Sequence, residues 1–191
     1  MALIYSATGS LDGYVAAPDG SFEFAHPDAE LHAFVNDVFR RARTILIGRR
    51  SYELMDPWDT LDLDDGQLPE EEIAFARQWR ETDKIVYSTT LTQVRHPRTR
   101  LESTFDPAAI RALTDASDRD LMIGGSVLAG AAFRAGIVDE VWTFLVPTVI
   151  GGGLPMFAPG ARAHLDLINQ RRFGNGTVGL HYRVTTHGAD S

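Results

Sequence analysis

The strongest constraint in this sequence is the segment of residues 121–136, LMIGGSVLAGAAFRAG. It predicts a buried strand, a turn at Gly124 and Gly125, and a helix that begins at Ser126. Because neither glycine has a Cβ atom, a ligand can approach the backbone closely, and the free N–H groups of a helix N-terminus favour an anion. An ordinary turn with Ser126 as the helix cap would have the same sequence, so this segment alone leaves both interpretations open.

A second strand end carries cationic and hydroxyl side chains. The apolar run of residues 44–47 ends at Gly48 and is followed by Arg49, Arg50 and Ser51. Arginine is the usual residue for binding phosphate, because its planar guanidinium offers paired N–H donors. This segment therefore indicates an anion site, and two exposed arginines that bind nothing are the alternative.

A third strand end follows the same pattern. Residues 83–87 form a short, β-branched strand, and the hydroxyl side chains of Ser88, Thr89 and Thr90 come directly after it. Serine and threonine at such a position often only complete a turn. In an open α/β sheet, however, ligands bind at the carboxyl ends of the strands. The three strand ends together predict a site for a nucleotide with several phosphates.

Composition excludes several classes of function. The chain has 191 residues, of which 44% are hydrophobic, which is enough for one domain over residues 1–191. No apolar run reaches the ~20 residues that span a bilayer, so we expect a cytoplasmic protein without membrane contact. A net charge of −8 argues against nucleic-acid binding. The absence of cysteine excludes disulfides and thiolate chemistry, so any redox step requires a bound cofactor.

The acidic charge is concentrated in one segment. Residues 56–72 contain eight carboxylates and no lysine or arginine, together with Pro57, Gly66 and Pro69. This composition predicts a solvated loop that leads into a helix near Pro69. Nothing fixes the geometry of these carboxylates, and the six histidines show no paired spacing on one helix face. We therefore expect no metal site.

The other segments alternate as a mainly parallel sheet requires. Apolar side chains in residues 31–42 recur with helical spacing after Asp28, which predicts a helix capped by that residue. Asp106 before a proline predicts the start of a further helix. Residues 141–146 predict a buried strand, and residues 174–184 predict a closing antiparallel hairpin with an Asn-Gly turn.

Together these segments resemble the dihydrofolate-reductase-like fold, and within it the reductase domain of riboflavin biosynthesis and its stand-alone relatives. The resemblance covers nearly the whole chain. It rests on the ordered motifs at residues 10–15 (SLDGYV), 47–53 (IGRRSYE), 84–90 (KIVYSTT), 121–126 (LMIGGS), 136–141 (GIVDEV) and 145–157 (LVPTVIGGGLPMF). It implies a three-layer α/β fold with a mixed, mainly parallel sheet, an antiparallel C-terminal hairpin and helices on both faces.

The resemblance also implies an NADPH site along the strand ends. Arg49 and Arg50 would hold the 2′-phosphate, Ser51 would lie near the pyrophosphate, and Ser6 and Ala7 would flank the nicotinamide. The residues that would complete the site are Gly48 beside the arginines, Ser88, Thr89 and Thr90 along the adenosine, and Gly124, Gly125, Ser126, Val127 and Leu128 around the pyrophosphate. The arginine pair favours NADPH over NADH, because NADH sites commonly offer an acid to the ribose hydroxyl.

The sequence constrains the substrate less than the cofactor. Dihydrofolate reductases carry a carboxylate in the first helix, and the corresponding position here is about His32, which argues against that activity. His32 remains a candidate for substrate contact. Asp56 before Pro57 resembles an acidic residue of the riboflavin-pathway reductase, which reduces the ribose of a phosphorylated pyrimidine. Asp12, Asp56 and Tyr52 are the candidate proton donors, with a turn as the alternative role of Asp12.

Three functions therefore stay open. The first is an NADPH-dependent reductase of a small heterocyclic or sugar-phosphate substrate, resembling 5-amino-6-(5-phosphoribosylamino)uracil reductase. The second is a non-catalytic nucleotide-binding protein of the same fold that acts as a sensor or partner. The third is a reductase-fold protein whose pocket holds another ligand. The resemblance also implies a homodimer, with Trp142, Phe144 and Tyr182 as residues of either the interface or the core.

Overall fold

The computed structural model describes residues 1–64 and 66–185. The strands are β1 (Leu3–Ser10), β2 (Tyr14–Ala16), β3 (Ala42–Gly48), β4 (Asp83–Tyr87), β5 (Thr99–Glu102), β6 (Asp120–Ile123), β7 (Glu140–Val146), β8 (Leu154–Pro155), β9 (His164–Arg172) and β10 (Val178–Thr185). The α-helices are α1 (Ala29–Phe39), α2 (Arg49–Thr60), α3 (Glu70–Glu81), α4 (Pro107–Ala116) and α5 (Ser126–Arg134), and a 3-10 helix covers Glu23–Ala25. In this described part of the chain, no helix combines the length and apolarity needed to cross a bilayer.

Eight strands form one sheet in the order β5-β4-β3-β6-β1-β7-β10-β9, and β2 pairs with β8 in a separate ribbon. The first six strands of that order are parallel, whereas β10 is antiparallel to both β7 and β9. This topology confirms the predicted α/β fold with a mixed, mainly parallel sheet and an antiparallel C-terminal hairpin. The hairpin closes through residues 173–177, where Gly176 has a φ of 86°.

Side chains alternate between the two faces of the sheet and build an apolar core on each. Ile4 and Met122 face one side, where they pack with α1, α2 and α3. Leu3 and Leu121 face the other side, where they pack with α4 and α5. Trp142 is buried in the first core, which makes it a core residue. Helices therefore cover both faces of the sheet, as the sequence predicted.

The predicted helix starts follow from side-chain caps. Asp28 accepts a hydrogen bond from the backbone N–H of Leu31 at 2.9 Å, and Asp106 accepts one from Ala108 at 2.9 Å. Each carboxylate satisfies a donor that the first turn of its helix leaves free. The predicted apolar stripe of α1 includes Ala42, and this part is wrong. The helix ends at Phe39, and Ala42 belongs to β3.

Charged side chains at the amino ends of the strands are paired. The Arg41 guanidinium lies 2.8 Å from both Asp120 and Glu140, and His181 Nε2 lies 2.9 Å from the same Glu140 carboxylate. Partial burial works against ionisation of Glu140, but the hydrogen bonds from Arg41 and His181 hold its pKa below the usual value. Ion pairs therefore hold the amino edge of the sheet together.

The prediction of an acidic loop is wrong in its first part. Residues 56–60 belong to α2, which contains Pro57, and the side chain of Asp59 is 5% exposed. Asp59 Oδ2 accepts a hydrogen bond from Trp79 Nε1 at 2.7 Å, and Asp59 Oδ1 lies 3.8 Å from Lys84 Nζ. Charge and proline content favoured a loop, whereas these tertiary partners bury one of the carboxylates and support the helix.

Lys84 is the only lysine of the chain, and its side chain is fully buried. Its ammonium lies 4.8 Å from the centre of the Trp79 ring and 3.3 Å from the carbonyl oxygen of Thr82. Burial lowers the pKa of Lys84, and the charge of Asp59 opposes that shift. The Asp59 carboxylate therefore supports the charged form of Lys84.

We expect Lys84→Met to lower the free energy of unfolding by about 3–5 kcal/mol, because Asp59 would keep a buried charge without its partner. Urea denaturation at neutral pH measures this change. The double variant with Lys84→Met and Asp59→Asn should recover more than half of the loss, since no charge then stays buried. Equal losses in the single and double variants would contradict the pairing.

Candidate functional site

The carboxyl ends of the parallel strands meet at one edge of the sheet. Gly124 follows β6 and donates its N–H to the carbonyl oxygen of Leu46 in β3 at 2.9 Å. A Cβ atom added to Gly125 would lie 3.0 Å from the hydroxyl oxygen of Ser51. The structure therefore brings together two of the three predicted strand ends, with the turn before α5 against the first turn of α2.

The start of α5 presents free polar groups. Gly125 precedes this helix with a φ of 82° and no side-chain cap. The N–H of Ala129 donates to the carbonyl oxygen of Gly125 at 3.0 Å, so the N–H groups of the three residues before Ala129 have no helical acceptor. The Ser126 hydroxyl is buried and makes no hydrogen bond within residues 1–64 and 66–185, beside an exposed Val127 and a half-buried Leu128. Ser126 therefore does not cap the helix, and its turn can bind an anion.

Helix α2 also begins at this edge without a side-chain cap, directly after Gly48. Arg49 and Arg50 are both exposed, and Arg49 Nη1 lies 3.1 Å from Glu53 Oε1 one turn later. An exposed ion pair of this kind adds little stability, so Arg49 can exchange Glu53 for a phosphate at a small cost. The first turn of α2 thus offers two guanidinium groups and a helix N-terminus beside the start of α5.

The third predicted strand end forms a turn after β4. The Ser88 N–H donates to the carbonyl oxygen of Glu102 at 3.0 Å, and the Ser88 hydroxyl accepts from the N–H groups of Thr90 and Leu91 at 3.1 and 3.0 Å. Ser88 therefore stabilises this turn, whereas Thr89 and Thr90 are exposed. Because β4 pairs with β3, these hydroxyl groups lie on the same edge as the start of α2.

A cavity of about 340 Å³ lies between α2 and the connection from β4 to β5. Its lining residues are Tyr52, Glu53, Asp56, Thr90, Leu91, Thr92, Gln93 and Arg95. The Tyr52 hydroxyl accepts a hydrogen bond from the backbone N–H of Arg95 at 2.9 Å, and Asp56 Oδ1 lies 2.7 Å from His96 Nε2. Two of the three candidate proton donors therefore border this cavity, and both already have a hydrogen-bond partner.

The third candidate donor, Asp12, connects two loops. Its carboxylate accepts hydrogen bonds from the backbone N–H groups of Ile150 at 3.2 Å and Gly151 at 2.7 Å. A hydrogen bond with the Ser10 side chain and these two backbone donors hold the pKa of Asp12 below its usual value. Asp12 therefore lies apart from the other two candidates and ties the loop after β1 to the loop after β7.

The predicted nicotinamide residues lie in β1. Ser6 and Ala7 are half-buried and pair with β7 in the sheet. Beyond the end of β1, the N–H of Leu11 donates to the carbonyl oxygen of Thr148 at 2.8 Å. The end of β1 therefore has the β7 loop on one side, and it has β6 with the α5 turn on the other.

His32 lies in the first turn of α1 and faces two aromatic side chains. Its ring centre is 6.3 Å from that of Trp58 and 5.8 Å from that of Phe75. Partial burial lowers the pKa of His32, while the charges of Glu72 and Glu71 oppose the shift. His32 is therefore a half-buried ring whose neutral form is favoured, packed between α1, α2 and α3.

Sequence analysis missed the polar network behind the cavity. His96 Nε2 lies 4.0 Å from Asp59 Oδ2, so the contact between Asp56 and His96 continues to the buried Asp59 and Lys84. The available signal was the single lysine within a β-branched strand, because a buried lysine requires a carboxylate partner. The position of that partner, 25 residues earlier in the chain, carries no local pattern.

A known protein family matches most of this chain. The sequence profile described as the RibD C-terminal domain matches residues 1–179. The chain belongs to the RibD C-terminal domain family. This confirms the resemblance to the riboflavin-biosynthesis domain, and it relates the chain to the reductase-like proteins of that pathway.

Two relatives illustrate the range of the family. The uncharacterized protein YyaP of Bacillus subtilis (strain 168) is 25% identical over 184 residues, which are 94% of this chain and 93% of YyaP. The riboflavin biosynthesis protein RibD of Mycobacterium tuberculosis is 32% identical over 148 residues, which are 75% of this chain. That match covers 41% of RibD, so the chain corresponds to less than half of that relative.

Solved structures share the fold of this RibD C-terminal domain. A crystal structure of a protein from Shewanella sp. PV-4 has a TM-score of 0.75 at 22% identity and covers 97% of this chain and all of its own. The diaminohydroxyphosphoribosylaminopyrimidine deaminase/5-amino-6-(5-phosphoribosylamino)uracil reductase of Thermotoga maritima has a TM-score of 0.65 at 16% identity. The match covers 96% of this chain and 56% of the Thermotoga maritima chain.

We expect Gly125→Ala to disturb the contact between α5 and α2. The positive φ strains an alanine by roughly 1–3 kcal/mol, and its Cβ would press on the Ser51 hydroxyl. The same change in a Ser51→Ala background is the matched control, because the backbone strain is then equal and the hydroxyl oxygen 3.0 Å from the added Cβ is absent. Urea denaturation should show the larger loss of unfolding free energy for Gly125→Ala with Ser51 in place. Equal losses would contradict the close contact with Ser51.

Proposed function

We propose that the chain is an NADPH-dependent reductase of a small heterocyclic or sugar-phosphate substrate. The observation that carries this proposal is the contact between the starts of α2 and α5, where two helix N-termini and two exposed arginines meet. Helix N-termini and guanidinium groups both favour phosphate. A dinucleotide with a pyrophosphate and a 2′-phosphate uses all of these groups.

The residues present fit such a cofactor. The buried Ser126 hydroxyl has no hydrogen-bond partner within the described ranges, and Gly125 has no side chain where the pyrophosphate would approach. Ser126 and the first-turn N–H groups of α5 would therefore hold the pyrophosphate, and Arg49 with Arg50 would hold the 2′-phosphate. The half-buried Ser6 in β1 would lie beside the nicotinamide. NADPH supplies hydride chemistry when bound, and the chain supplies orientation and the proton.

The three candidate proton donors lie at different ends of the proposed NADPH site. Asp12 lies at the end of β1, where the nicotinamide would be, but its hydrogen bonds favour the carboxylate. A donor role for Asp12 would therefore require it to take up a proton from solvent before each reduction. Tyr52 and Asp56 border the cavity beside α2, next to Thr90, which we assign to the adenosine side.

The hydrogen bonds of the three candidate proton donors also support a second function. Asp12, Tyr52 and Asp56 each have a partner within the fold, so each can be explained by a structural role. A nucleotide-binding protein of this family that lacks catalysis would keep the phosphate site and need no proton donor. Oxidation of bound NADPH in a screen of pteridines and of 5-amino-6-(5-phosphoribosylamino)uracil separates the two functions.

We expect wild-type protein to bind NADPH more tightly than NADH, because the arginines contact only the 2′-phosphate. The double variant with Arg49→Ala and Arg50→Ala should weaken NADPH binding by about tenfold or more and leave NADH binding nearly unchanged. Fluorescence titration of both nucleotides measures these affinities.

The control is a double variant with Arg77→Ala and Arg162→Ala, two exposed arginines outside the proposed site. It should bind NADPH like the wild type. If neither nucleotide binds the wild type at millimolar concentration, the reductase proposal fails.

We also propose a homodimer that forms through the edge of the sheet. All nine residues of the edge strand β9 are exposed, and they include Leu165, Leu167 and Ile168. A long, exposed edge strand that carries apolar side chains readily pairs with a second copy of itself. Such pairing would bury these side chains and join two sheets.

We expect the variant with Leu167→Lys and Ile168→Lys to be monomeric, because two buried ammonium groups would oppose pairing of β9. Size-exclusion chromatography with light scattering gives the mass of each species. Leu54→Lys, the same kind of change at an exposed position of α2, should leave the mass at that of the wild type. A wild-type protein that is monomeric at every concentration would contradict the dimer.

A further inference from the structure

Cations are unevenly distributed around the proposed site. Residues 1–39 contain no lysine or arginine, and neither do residues 135–161. The first range supplies β1, the loop after it and α1, and the second supplies β7 and the loop that Asp12 contacts. In the proposed pose these two ranges surround the nicotinamide. The wall against which a substrate would lie therefore has no permanent cation of its own.

Acidic groups occupy this region instead. Asp12 lies just after the end of β1, whereas two other carboxylates of residues 1–39 are paired with arginines, Glu30 with Arg171 and Asp37 with Arg40. Glu71 and Glu72, at the start of α3, are close enough to His32 for their charges to act on its pKa, which partial burial lowers. Because a lowered pKa favours the neutral ring, His32 is a poor replacement for the missing cation. The electrostatic field at this end of the site therefore opposes an anionic substrate.

Two arginines of neighbouring elements are engaged within the fold. Arg171 Nη2 lies 2.8 Å from Glu30 Oε1, and its guanidinium covers the ring of Phe34. Arg171 therefore extends from β9 to the first turn of α1, where the Glu30 carboxylate neutralises its charge. Arg80 donates to two backbone carbonyls at the end of α2. The two arginines at the start of α2 would be occupied by the cofactor.

Apolar side chains are exposed beside the same end of the site. Leu11, Phe22 and Val149 are large hydrophobic residues with 61%, 42% and 68% of their surface exposed. Leu11 and Val149 are close together, because the N–H of Leu11 donates to the carbonyl oxygen of Thr148. Apolar side chains with a few polar groups are the usual lining for a flat organic ring.

We infer that the substrate of the proposed reductase is an unphosphorylated nitrogen heterocycle, neutral or cationic, rather than a sugar phosphate. This inference rests on the proposed function, since it concerns the substrate end of the same site. A phosphate that leaves water needs cationic N–H donors, whereas the amino and ring N–H groups of a heterocycle can donate to carboxylates. The substrate therefore differs from the phosphoribosylated aminouracil in the name of the Thermotoga maritima protein.

Two matched pairs of ligands test the inference on the protein saturated with NADP⁺, which carries the same phosphates as NADPH but cannot transfer hydride to the ligand. The first pair is 5-amino-6-(ribosylamino)uracil and its 5′-phosphate, and the second is dihydroneopterin and its phosphate. Calorimetric titration should show that at least one unphosphorylated compound binds about tenfold or more tightly than its phosphate. Equal or tighter binding of the phosphate in either pair overturns the inference. Failure of all four compounds to bind overturns the substrate class, whereas failure of NADPH to bind overturns the proposed function.

A charge variant tests whether the carboxylates near His32 set this preference. Glu72→Gln removes one carboxylate near His32, so it should reduce the preference for the unphosphorylated ligand by about threefold. Glu81→Gln makes the same change at the other end of α3, and there the preference should stay at the wild-type value. Equal effects of the two variants would show that the local charge near His32 does not set the preference.

Discussion

The hydrogen bond from the Gly124 N–H to the carbonyl oxygen of Leu46 fixes the geometry of the proposed site. It holds the turn after β6 against the end of β3, so that Gly125 and Ser51 meet. Two helices therefore begin at the same point of the sheet edge, each without a side-chain cap. Because β6 lies between β3 and β1, the same turn also reaches the strand that would flank the nicotinamide.

Charged side chains have different roles at the two edges of the sheet. At the amino edge, Arg41 satisfies Asp120 and Glu140 within the fold, so the charges there stabilise the protein itself. At the carboxyl edge, Arg49 and Arg50 lie at the start of α2, whereas Asp12 and the exposed Leu11 follow the end of β1. One edge thus stabilises the fold, and the other combines the proposed phosphate site with a region that we infer to disfavour phosphate. This division accounts for both the proposed cofactor and the inferred substrate.

Sequence analysis succeeded where a feature depends on neighbouring residues. The caps Asp28 and Asp106 and the start of α5 follow from local patterns, and the alternation of segments with the family resemblance predicted the mixed sheet. The extension of α2 through Pro57 was not predictable in this way, since it is supported by contacts of Asp59 with residues 20 and 25 positions later.

In the candidate site, too, the sequence predicted features of neighbouring residues and not contacts between distant ones. The glycines, arginines and hydroxyl groups were predictable because they directly follow strands. The partners of Tyr52 and Asp56 were not, because Arg95 and His96 lie 43 and 40 residues further along the chain. The hydrogen bonds of Asp12 to the β7 loop span 138 and 139 residues, and no local pattern indicates them. Residue types therefore predicted a phosphate site, and tertiary contacts determine what the other polar groups do.

In the proposed reductase, the start of α5 binds the pyrophosphate of NADPH. A titration of NADPH into ¹⁵N-labelled protein, followed by the amide signals in two-dimensional NMR spectra, tests it most directly. The account predicts the largest shifts at the N–H groups of Ser126 and Val127, with further shifts at Ser51 across the contact. Saturable binding that leaves these signals in place, with shifts confined to residues 90–95 beside the cavity, would contradict it.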